Sequence, residues 1–260
     1  RDSSNDSSAN ELMDAATQLK RSAEKEEAHY FKVFLEDIKP DYDQLLDEEL
    51  VTDYLKEVAP IDFSLPFKSR YYNAIEEEYK PYSNGLSYVN ISVNQQNDIR
   101  KRYGLKIEGT EDTIEDLECF IIKDDKYGEL AWGWFALTKF SKAIPTSDAN
   151  RGLRLRKHNI QIGDQTVLNK YFTEARGNNY FYGEVHVLHD QIKPDSGRSG
   201  LAPTPESLRL LDLLKVKFVE LKKLYNIANE AKNAVKNILD LSSRASSGEY
   251  TPEEAETHKN

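Results

Sequence analysis

Residues 151–164 read RGLRLRKHNIQIGD, and the alternation of leucine with arginine in this stretch is typical of a β-strand. In an extended chain, Leu153 and Leu155 lie on one face, and Arg154 and Arg156 lie on the other. The run NIQIG that follows has the same alternation after a two-residue break. The stretch therefore predicts a pair of short neighbouring strands.

The two arginines leave two interpretations open. Two guanidinium groups on one face can bind a phosphate or a carboxylate through paired hydrogen bonds. Alternatively, both arginines pair with acidic side chains of this chain itself. The surrounding residues 139–157 form a basic segment in which Asp148 is the one acid. Its cations are Lys139, Lys142, Arg151, Arg154, Arg156 and Lys157.

The chain as a whole is acidic, with 35 Lys and Arg residues against 45 Asp and Glu residues and a formal net charge of −10. A protein that wraps nucleic acid without sequence preference neutralises many phosphates with cations, so this balance argues against that class of protein. It does not argue against one local basic site. With 260 residues, 38% of them hydrophobic, the chain can form one large domain or two modest ones.

Cys119 is the single cysteine, so no intramolecular disulfide can form, which is typical of a reducing compartment. Its apolar surroundings, LECFII, favour a packing role over that of a nucleophile. The sequence has no signal peptide and no apolar run that approaches about 20 residues. We therefore expect a cytoplasmic protein with no membrane contact. Because the chain starts with Arg1 rather than Met, we also expect a fragment or a processed chain.

Hydrophobic periodicity predicts mixed helices and strands followed by a helical C-terminal part, which is an α+β fold with a mixed sheet and packed helices. Residues 41–57 predict an acidic amphipathic helix, whose acidic side chains we expect to face solvent. Other helices are predicted at residues 10–28, at 166–174 and from Thr204 onward. Strands are predicted at residues 31–38, 86–93, 119–123, 130–137, 152–156, 159–162 and 180–188, with turns and loops in the proline-containing runs VAPIDFSLPF and YKPYSNG.

These elements divide the chain into four parts. They are an N-terminal helical and acidic lead-in (residues 1–57), an α+β middle domain (58–203), C-terminal helices (204–242) and a polar tail (243–260). The C-terminal helices carry a heptad-like apolar seam that is suited to packing on another helix or on a sheet face. Its residues are Leu221, Leu224, Ala228, Ala231, Val235 and Ile238.

A second candidate site lies in the run DSGRSG at residues 195–200. Glycines near Arg198 free the backbone, so this arginine can project from a loop. An arginine in such a position can stabilise the charge that develops on a transferred phosphoryl group. The alternative is a plain surface loop.

Other patterns do not complete an active site. His186 and His189 are three residues apart, but no carboxylate or cysteine pattern completes a metal site, so we interpret both as structural. Trp132 and Trp134 share one side of a strand, which favours packing over a ligand platform. The sequence has no GxxxxGK[ST] or GxGxxG loop, no HExxH or GxSxG motif and no kinase motif set. It therefore leaves open whether this chain is an enzyme.

Four runs of the sequence, WGWFALTKF, RGLRLRKHNIQIGD, YFYGEVHVL and IKPDSGRSGL, resemble a known family. They are similar to bacterial ATPases related to the ninety-kilodalton heat-shock chaperone. These proteins belong to the GHKL class, together with gyrase B, MutL-type repair proteins and histidine kinases. The resemblance extends from about residue 58 to about residue 214, which corresponds to the region downstream of the family's ATP-binding domain.

The resemblance implies a middle, or transducer, domain with a βαβ fold and a left-handed crossover. In the family, a loop arginine after a strand reaches the γ-phosphate of ATP in the neighbouring domain, and Arg198 stands at the matching position. Gly197 stands where the family usually has a first arginine, and Ser199 stands where it has an acid. Arg198 is therefore the expected γ-phosphate sensor, in a loop that departs from the family pattern on both sides.

We therefore expect a chaperone-like transducer that couples ATP binding and hydrolysis in another domain to conformational change or client binding. No cofactor is expected in this chain, whereas ATP and Mg²⁺ are expected in the parent protein. The expected partners are its own ATP-binding domain, a protein client and a second copy joined through the C-terminal helices. Two other functions stay open, a nucleic-acid-binding module built on residues 139–157 and a helix-mediated scaffold. The residues expected at an interface or an anion site are Arg151, Arg154, Arg156 and Lys157.

Overall fold

The computed structural model describes residues 33, 39–82, 86–94 and 97–246. The chain divides into two compact units, Arg1–Asp43 and Gln44–Asn260, and most of the description concerns the second. The predicted helix at residues 10–28, the polar end of the tail and all but residue 33 of the predicted strand at 31–38 lie outside the described residues.

A mixed five-stranded sheet forms the centre of the second unit, with the strand order β1-β2-β5-β3-β4. Neighbouring strands are antiparallel except for β3 and β5, which run parallel. This sheet confirms the α+β fold and the strands predicted from residue 119 onward. The strands are β1 (Asp116–Asp124), β2 (Gly128–Leu137), β3 (Gly152–Lys157), β4 (Ile160–Gln161) and β5 (Tyr182–Val187).

Among the described residues, three α-helices accompany the sheet: α1 (Glu48–Val58), α2 (Leu65–Tyr79) and α3 (Pro205–Ser246). Helix α1 begins after Asp47, whose carboxylate accepts hydrogen bonds from the N–H groups of Glu49 and Leu50. Helix α3 confirms the predicted helical C-terminal part and is 42 residues long. None of the helices in the described part of the chain is long and apolar enough to cross a membrane.

Both faces of the sheet are covered by helices, so two apolar clusters form. On one face, Leu153 and Leu155 of β3 belong to a cluster that includes Leu210, Leu214 and Phe218 of α3. On the other face, the cluster joins strand β2 to α2. It includes Trp132, Trp134, Phe67, Tyr71 and Ile75. The two tryptophans are therefore packing residues, as the sequence predicted.

Strand β3 places its two arginines on the same face as the α2 cluster. In the parallel register with β5, Arg154 lies beside Glu184 and Arg156 lies beside His186. All six residues of β3 and all six of β5 are buried. Four charged or polar side chains therefore occupy a buried sheet face next to an aromatic cluster.

Two predicted elements have a different form. Residues 86–93 are not a strand of the sheet; instead, the Val89 N–H donates to Pro60 O at 2.9 Å and the Ile99 N–H to Ile91 O at 2.8 Å. These bonds pair backbone groups of this segment with backbone groups of neighbouring segments. Residues 166–174 contain the short 3-10 helix Asn169–Tyr171 in place of the predicted α-helix. This segment is anchored because Leu168 and Phe172 enter the α3 cluster.

Candidate functional site

The loop of residues 194–201 that carries Arg198 is closed by its own hydrogen bonds. Its ends form a β-bridge, and the Asp195 N–H donates to Gly200 O at 3.0 Å. The Asp195 carboxylate accepts bonds from Ser199 N at 2.9 Å and from Ser199 Oγ at 3.0 Å. The backbone of the loop is therefore fixed while its side chains stay at the surface.

Arg198 occupies the tip of this loop in the left-handed region, with φ of 52°, and is exposed. Its carbonyl oxygen accepts a bond from Gly163 N at 2.6 Å, and Nη2 donates to Gln161 O at 3.3 Å. Within the described residues, no carboxylate oxygen lies within 4.0 Å of its guanidinium nitrogens. Arginine has five N–H donors, so most of them are available to an anion.

Arg154 and Arg156 pair with acidic side chains of this chain, which is one of the two interpretations that the sequence left open. Arg154 is 2% exposed, and its Nη1 donates to Glu57 Oε1 of α1 at 2.7 Å. Arg156 is also 2% exposed, and its Nε lies 2.6 Å from Glu184 Oε1. Two further bonds from Arg156 reach the carbonyl oxygens of Asn159 at 2.9 Å and Glu57 at 2.8 Å. In this unit, both side chains join elements of the fold to one another.

Glu184 is the centre of the buried charges. Lys101 Nζ donates to both of its carboxylate oxygens, at 2.9 and 3.0 Å, and His186 Nε2 lies 3.0 Å from Oε2. Burial works to raise the pKa of Glu184, but Arg156 and Lys101 hold that pKa well below its usual range. Burial lowers the pKa of Lys101 to about 7, with Arg156 acting in the same direction. Burial also lowers the pKa of His186, which favours the neutral ring.

Lys157 and Arg151 have different surroundings. Lys157 is 5% exposed and donates to the carbonyl oxygens of Leu188 at 3.2 Å and His189 at 2.8 Å. Burial lowers the pKa of Lys157. Arg151 is half-buried, and Lys139 and Lys142 are exposed. The fold thus removes three of the six cations of the basic segment from the surface, namely Arg154, Arg156 and Lys157.

The remaining chemical candidates have structural surroundings. His186 lies in the buried sheet face, whereas His189 is half-buried at the end of β5. No group of three or more His, Cys, Asp and Glu side chains among the described residues could hold a metal ion. Cys119 is half-buried, and burial raises the pKa of its thiol to about 12, which disfavours the nucleophilic thiolate.

The sequence reasoning missed three residues that organise this region: Glu57, Lys101 and Glu184. Glu184 had a usable signal, because an acid within the apolar run YGEVHV at a strand position implies a buried partner. Lys101 and Glu57 had none, since each lies in a segment far from the residues that it contacts.

A scan against models of known protein families found no match, and a search of curated proteins found no significant relative. The similarity of the four quoted runs to GHKL-class ATPases therefore stays a prediction made from those residues.

Proposed function

We propose that this chain is the middle, or transducer, domain of a GHKL-class ATPase similar to the ninety-kilodalton heat-shock chaperone. In this proposal it couples ATP binding and hydrolysis in a neighbouring domain to a conformational change or to binding of a client protein. The observation that carries the proposal is Arg198, an exposed arginine on a closed loop whose guanidinium has no carboxylate partner among the described residues.

The position of Arg198 supports a contact with phosphate. Guanidinium groups bind phosphate oxygens through two parallel hydrogen bonds, which makes the contact geometrically selective. The left-handed conformation costs a non-glycine residue about 1–2 kcal/mol, and the hydrogen bonds of the loop maintain this conformation at Arg198. The loop therefore fixes the backbone of Arg198 at the surface before any ligand arrives. Preorganised donors of this kind stabilise charge that develops on a transferred phosphoryl group.

The connections of the loop support a coupling role. Arg198 is bonded through Gly163 and Gln161 to the edge of the sheet, and Gln161 Nε2 also donates to Glu57 Oε1 of α1 at 3.2 Å. On its other side, the loop leads within a few residues to Thr204, which caps α3 by accepting from Ser207 N at 3.1 Å. A displacement of Arg198 therefore acts on the sheet edge and on the start of the longest helix.

ATP and Mg²⁺ belong to the neighbouring domain in this proposal. This chain supplies the guanidinium of Arg198, a positive charge with several hydrogen-bond donors, to the γ-phosphate when the two domains close. Closure would exclude water around Arg198 and strengthen its interaction with the phosphate. We expect this chain alone to bind ATP weakly or not at all.

The test compares ATP hydrolysis by the protein that carries both domains with hydrolysis by its Arg198→Ala variant. We expect kcat to fall by about 10²–10³-fold with little change in the affinity for ATP, and Arg198→Lys to restore part of the rate. Arg176→Ala is the matched control, because the Arg176 side chain is 79% exposed and lies in another segment. Unchanged kcat in Arg198→Ala, or vigorous ATP hydrolysis by this chain alone, would contradict the proposal.

A second function, self-association through α3, is favoured by one specific observation. The predicted seam is buried at Leu221 but exposed from Ala231 onward, where Val235 is 56% and Ile238 64% exposed; Leu239, next to the seam, is 63% exposed. Such side chains at helical spacing commonly pack against another helix. Light scattering of the full chain and of Val235→Ser/Ile238→Ser tests this function. We expect a dimer that the double substitution converts to a monomer; a monomeric wild-type chain would exclude the scaffold.

A nucleic-acid-binding role for residues 139–157 gains no support from the geometry. Phosphate contacts need cations at the surface, and half of the cations in this segment are buried.

A further inference from the structure

Two adjoining depressions lie at the carboxyl ends of the parallel strands β3 and β5. Their volumes are about 470 and about 420 Å³, and both are lined by Tyr82, Leu188 and Asp190, so they form one groove. We call it the strand-end groove; its lining includes residues 79–82, His158 after β3 and residues 188–191 after β5. In open sheets with parallel strands, ligands commonly bind beyond the carboxyl ends of the strands.

The floor of the strand-end groove is held in place by hydrogen bonds. Lys157 Nζ donates to the carbonyl oxygens of Leu188 at 3.2 Å and His189 at 2.8 Å. The Ile192 N–H donates to His189 O at 3.1 Å, and the Gln191 N–H donates to His189 Nδ1 at 3.3 Å. The segment after β5 is thus fixed to the end of β3. A ligand would meet a preformed surface and would lose little affinity to ordering of the chain.

His158 has a backbone conformation that contacts within the fold do not explain. His158 and Asn159 join β3 to β4, and both are left-handed, with φ of 52° and 61°. Asn159 suits such a turn, and its side chain also accepts a bond from Lys101 Nζ at 2.7 Å. The His158 ring lines the groove, is exposed and makes no hydrogen bond with the described residues. Strained residues of this kind concentrate at functional sites.

Two opposite charges of the groove have no partner. The Asp190 carboxylate and the Lys80 ammonium are exposed, and neither makes an ion pair or a hydrogen bond with the described residues. The other carboxylate of the lining, Glu129, already pairs with Lys123 at 3.1 Å. An anionic ligand would meet Asp190 and a cationic ligand would meet Lys80, so the lining favours neither. A neutral ligand whose hydroxyl groups both donate and accept would bond to both side chains.

Tyrosine supplies an apolar surface between these charges. Tyr82 lines both depressions and is half-buried, so part of its side chain is open to the groove. Lys123 Nζ lies over this ring, 5.3 Å from its centroid, and a second cation on the ring would meet this ammonium. Tyr127 and Leu188 extend the apolar surface. One face of a sugar ring is apolar and its rim carries hydroxyl groups, so a sugar matches both the tyrosine surface and the polar side chains.

We propose that the strand-end groove binds a neutral oligosaccharide. One face of a sugar ring would pack on Tyr82, while its hydroxyl groups would donate to Asp190 and accept from Lys80. The His158 imidazole, which has one donor and one acceptor when neutral, would bond to a further hydroxyl. The proposal concerns the ends of β3 and β5 and does not depend on the role of Arg198.

The experiment titrates the ¹⁵N-labelled full chain with maltotetraose, cellotetraose and chitotetraose and follows the amide signals by NMR. We expect at least one of them to shift the signals of His158 and residues 188–191, with a dissociation constant of about 0.1–1 mM. Binding of a neutral ligand should change less than about twofold between low and high salt. No shift with any of the three at about 10 mM would overturn the proposal.

Substitutions test the assigned contacts. Tyr82→Ala should weaken binding about tenfold or more, and Asp190→Ala about fivefold. The matched controls are Tyr54→Ala and Asp240→Ala, which remove an exposed tyrosine and an exposed aspartate that line neither depression. Circular dichroism checks that each variant folds. Equal binding by Tyr82→Ala and wild type would overturn the proposal. Tighter binding of adenosine or of adenosine monophosphate than of every oligosaccharide would overturn it as well, because the groove would then select a base or a phosphate.

His158→Gly separates binding from folding at the strained turn. Glycine adopts the left-handed conformation without strain, so we expect the thermal midpoint to stay the same or to rise. Oligosaccharide binding should weaken about threefold or more, because the imidazole is lost. A lower thermal midpoint with unchanged binding would show that His158 serves the fold alone and would overturn its assignment to the groove.

Discussion

Glu184 Oε1 lies 2.6 Å from Arg156 Nε, and both side chains are shielded from solvent between the sheet and the segment that carries Lys101. One carboxylate therefore pairs with two buried cations and also contacts His186. A buried charge without a partner is much more costly than a buried pair, so the fold depends on every member of this group being present.

Replacing Glu184 by glutamine should strongly destabilise the protein. The substitution keeps the shape of the side chain but leaves Lys101 and Arg156 buried without a carboxylate. We expect the free energy of unfolding to fall by about 3–5 kcal/mol, measured by urea denaturation at neutral pH. Glu129→Gln is the control, because its ion pair with Lys123 is at the surface and should change stability by less than about 1 kcal/mol. Equal stability of Glu184→Gln and wild type would mean that the buried pairs contribute nothing.

In the acidic range, His186 and Glu184 should each reduce stability as the pH falls, whereas the lowered pKa of Lys101, about 7, has this effect mainly at higher pH. The pKa of His186 is lowered by burial, and the pKa of Glu184 is held below its usual range by its cations against the opposing effect of burial. In the unfolded chain these groups titrate near about 6.5 and about 4.3. Below each of these values, the unfolded state binds more protons than the folded state, so stability falls from about pH 6.5 downward and again below about pH 4.3.

Urea denaturation at several pH values checks this dependence. In His186→Asn the decrease that starts near about pH 6.5 should be absent, whereas the decrease below about pH 4.3 should remain. A wild-type protein with constant stability from about pH 7 to about pH 5 would contradict the contribution of His186.

Gly183 should not tolerate a side chain. A Cβ atom at this position would lie 2.1 Å from Trp134 O and 2.9 Å from Leu153 Cδ2, between strands at the centre of the sheet. We expect Gly183→Ala to reduce the free energy of unfolding by about 3 kcal/mol or more. At Gly104 the nearest atom to an added Cβ is 3.6 Å away, so Gly104→Ala should have little effect. A thermal midpoint for Gly183→Ala as high as that of Gly104→Ala would show that the strands separate easily.

Asp195→Ala should loosen the loop that holds Arg198. The Ser199 amide donates to the Asp195 carboxylate at 2.9 Å, so we expect its hydrogen exchange to become about tenfold faster or more when the acceptor is removed. Asp47→Ala removes an equivalent bond at the start of α1 and should leave Ser199 unchanged. Unaltered exchange at Ser199 in Asp195→Ala would indicate that the remaining backbone bonds suffice to fix the loop.

The sequence predicted the strands better than it predicted the helices. Side chains at alternate positions of LAWGWFAL and GLRLRK lie on opposite faces of the sheet, so these strands were predictable from the sequence. The sequence did not predict helix α2, because a proline lies near each of its ends. Pro66 is favourable at the first turn of a helix, and the apolar spacing Phe67, Tyr71, Ile75 and Tyr79 is the signal that identifies it.

The roles of the charged residues could not be derived from local patterns. Arg154 faces an internal acid because of Glu57, which lies 97 residues before it in the chain, and Arg156 does so because of Glu184 on the neighbouring strand. The mixed exposure of α1, where Leu55 is half-buried and Tyr54 is exposed, has the same origin, because an amphipathic pattern does not state how far the rest of the fold will cover each face. Long-range pairing decides both outcomes.

The carboxylate of Glu184 also has a consequence for how the chain assembles. It binds Lys101 from 83 residues earlier and Arg156 from the adjoining strand, so these segments can be desolvated at low cost only together. Partly assembled forms that bury one cation first are high in energy, which favours all-or-none assembly of this region. Limited proteolysis should accordingly trim the exposed end of α3 long before it separates the segment around Lys101 from the sheet.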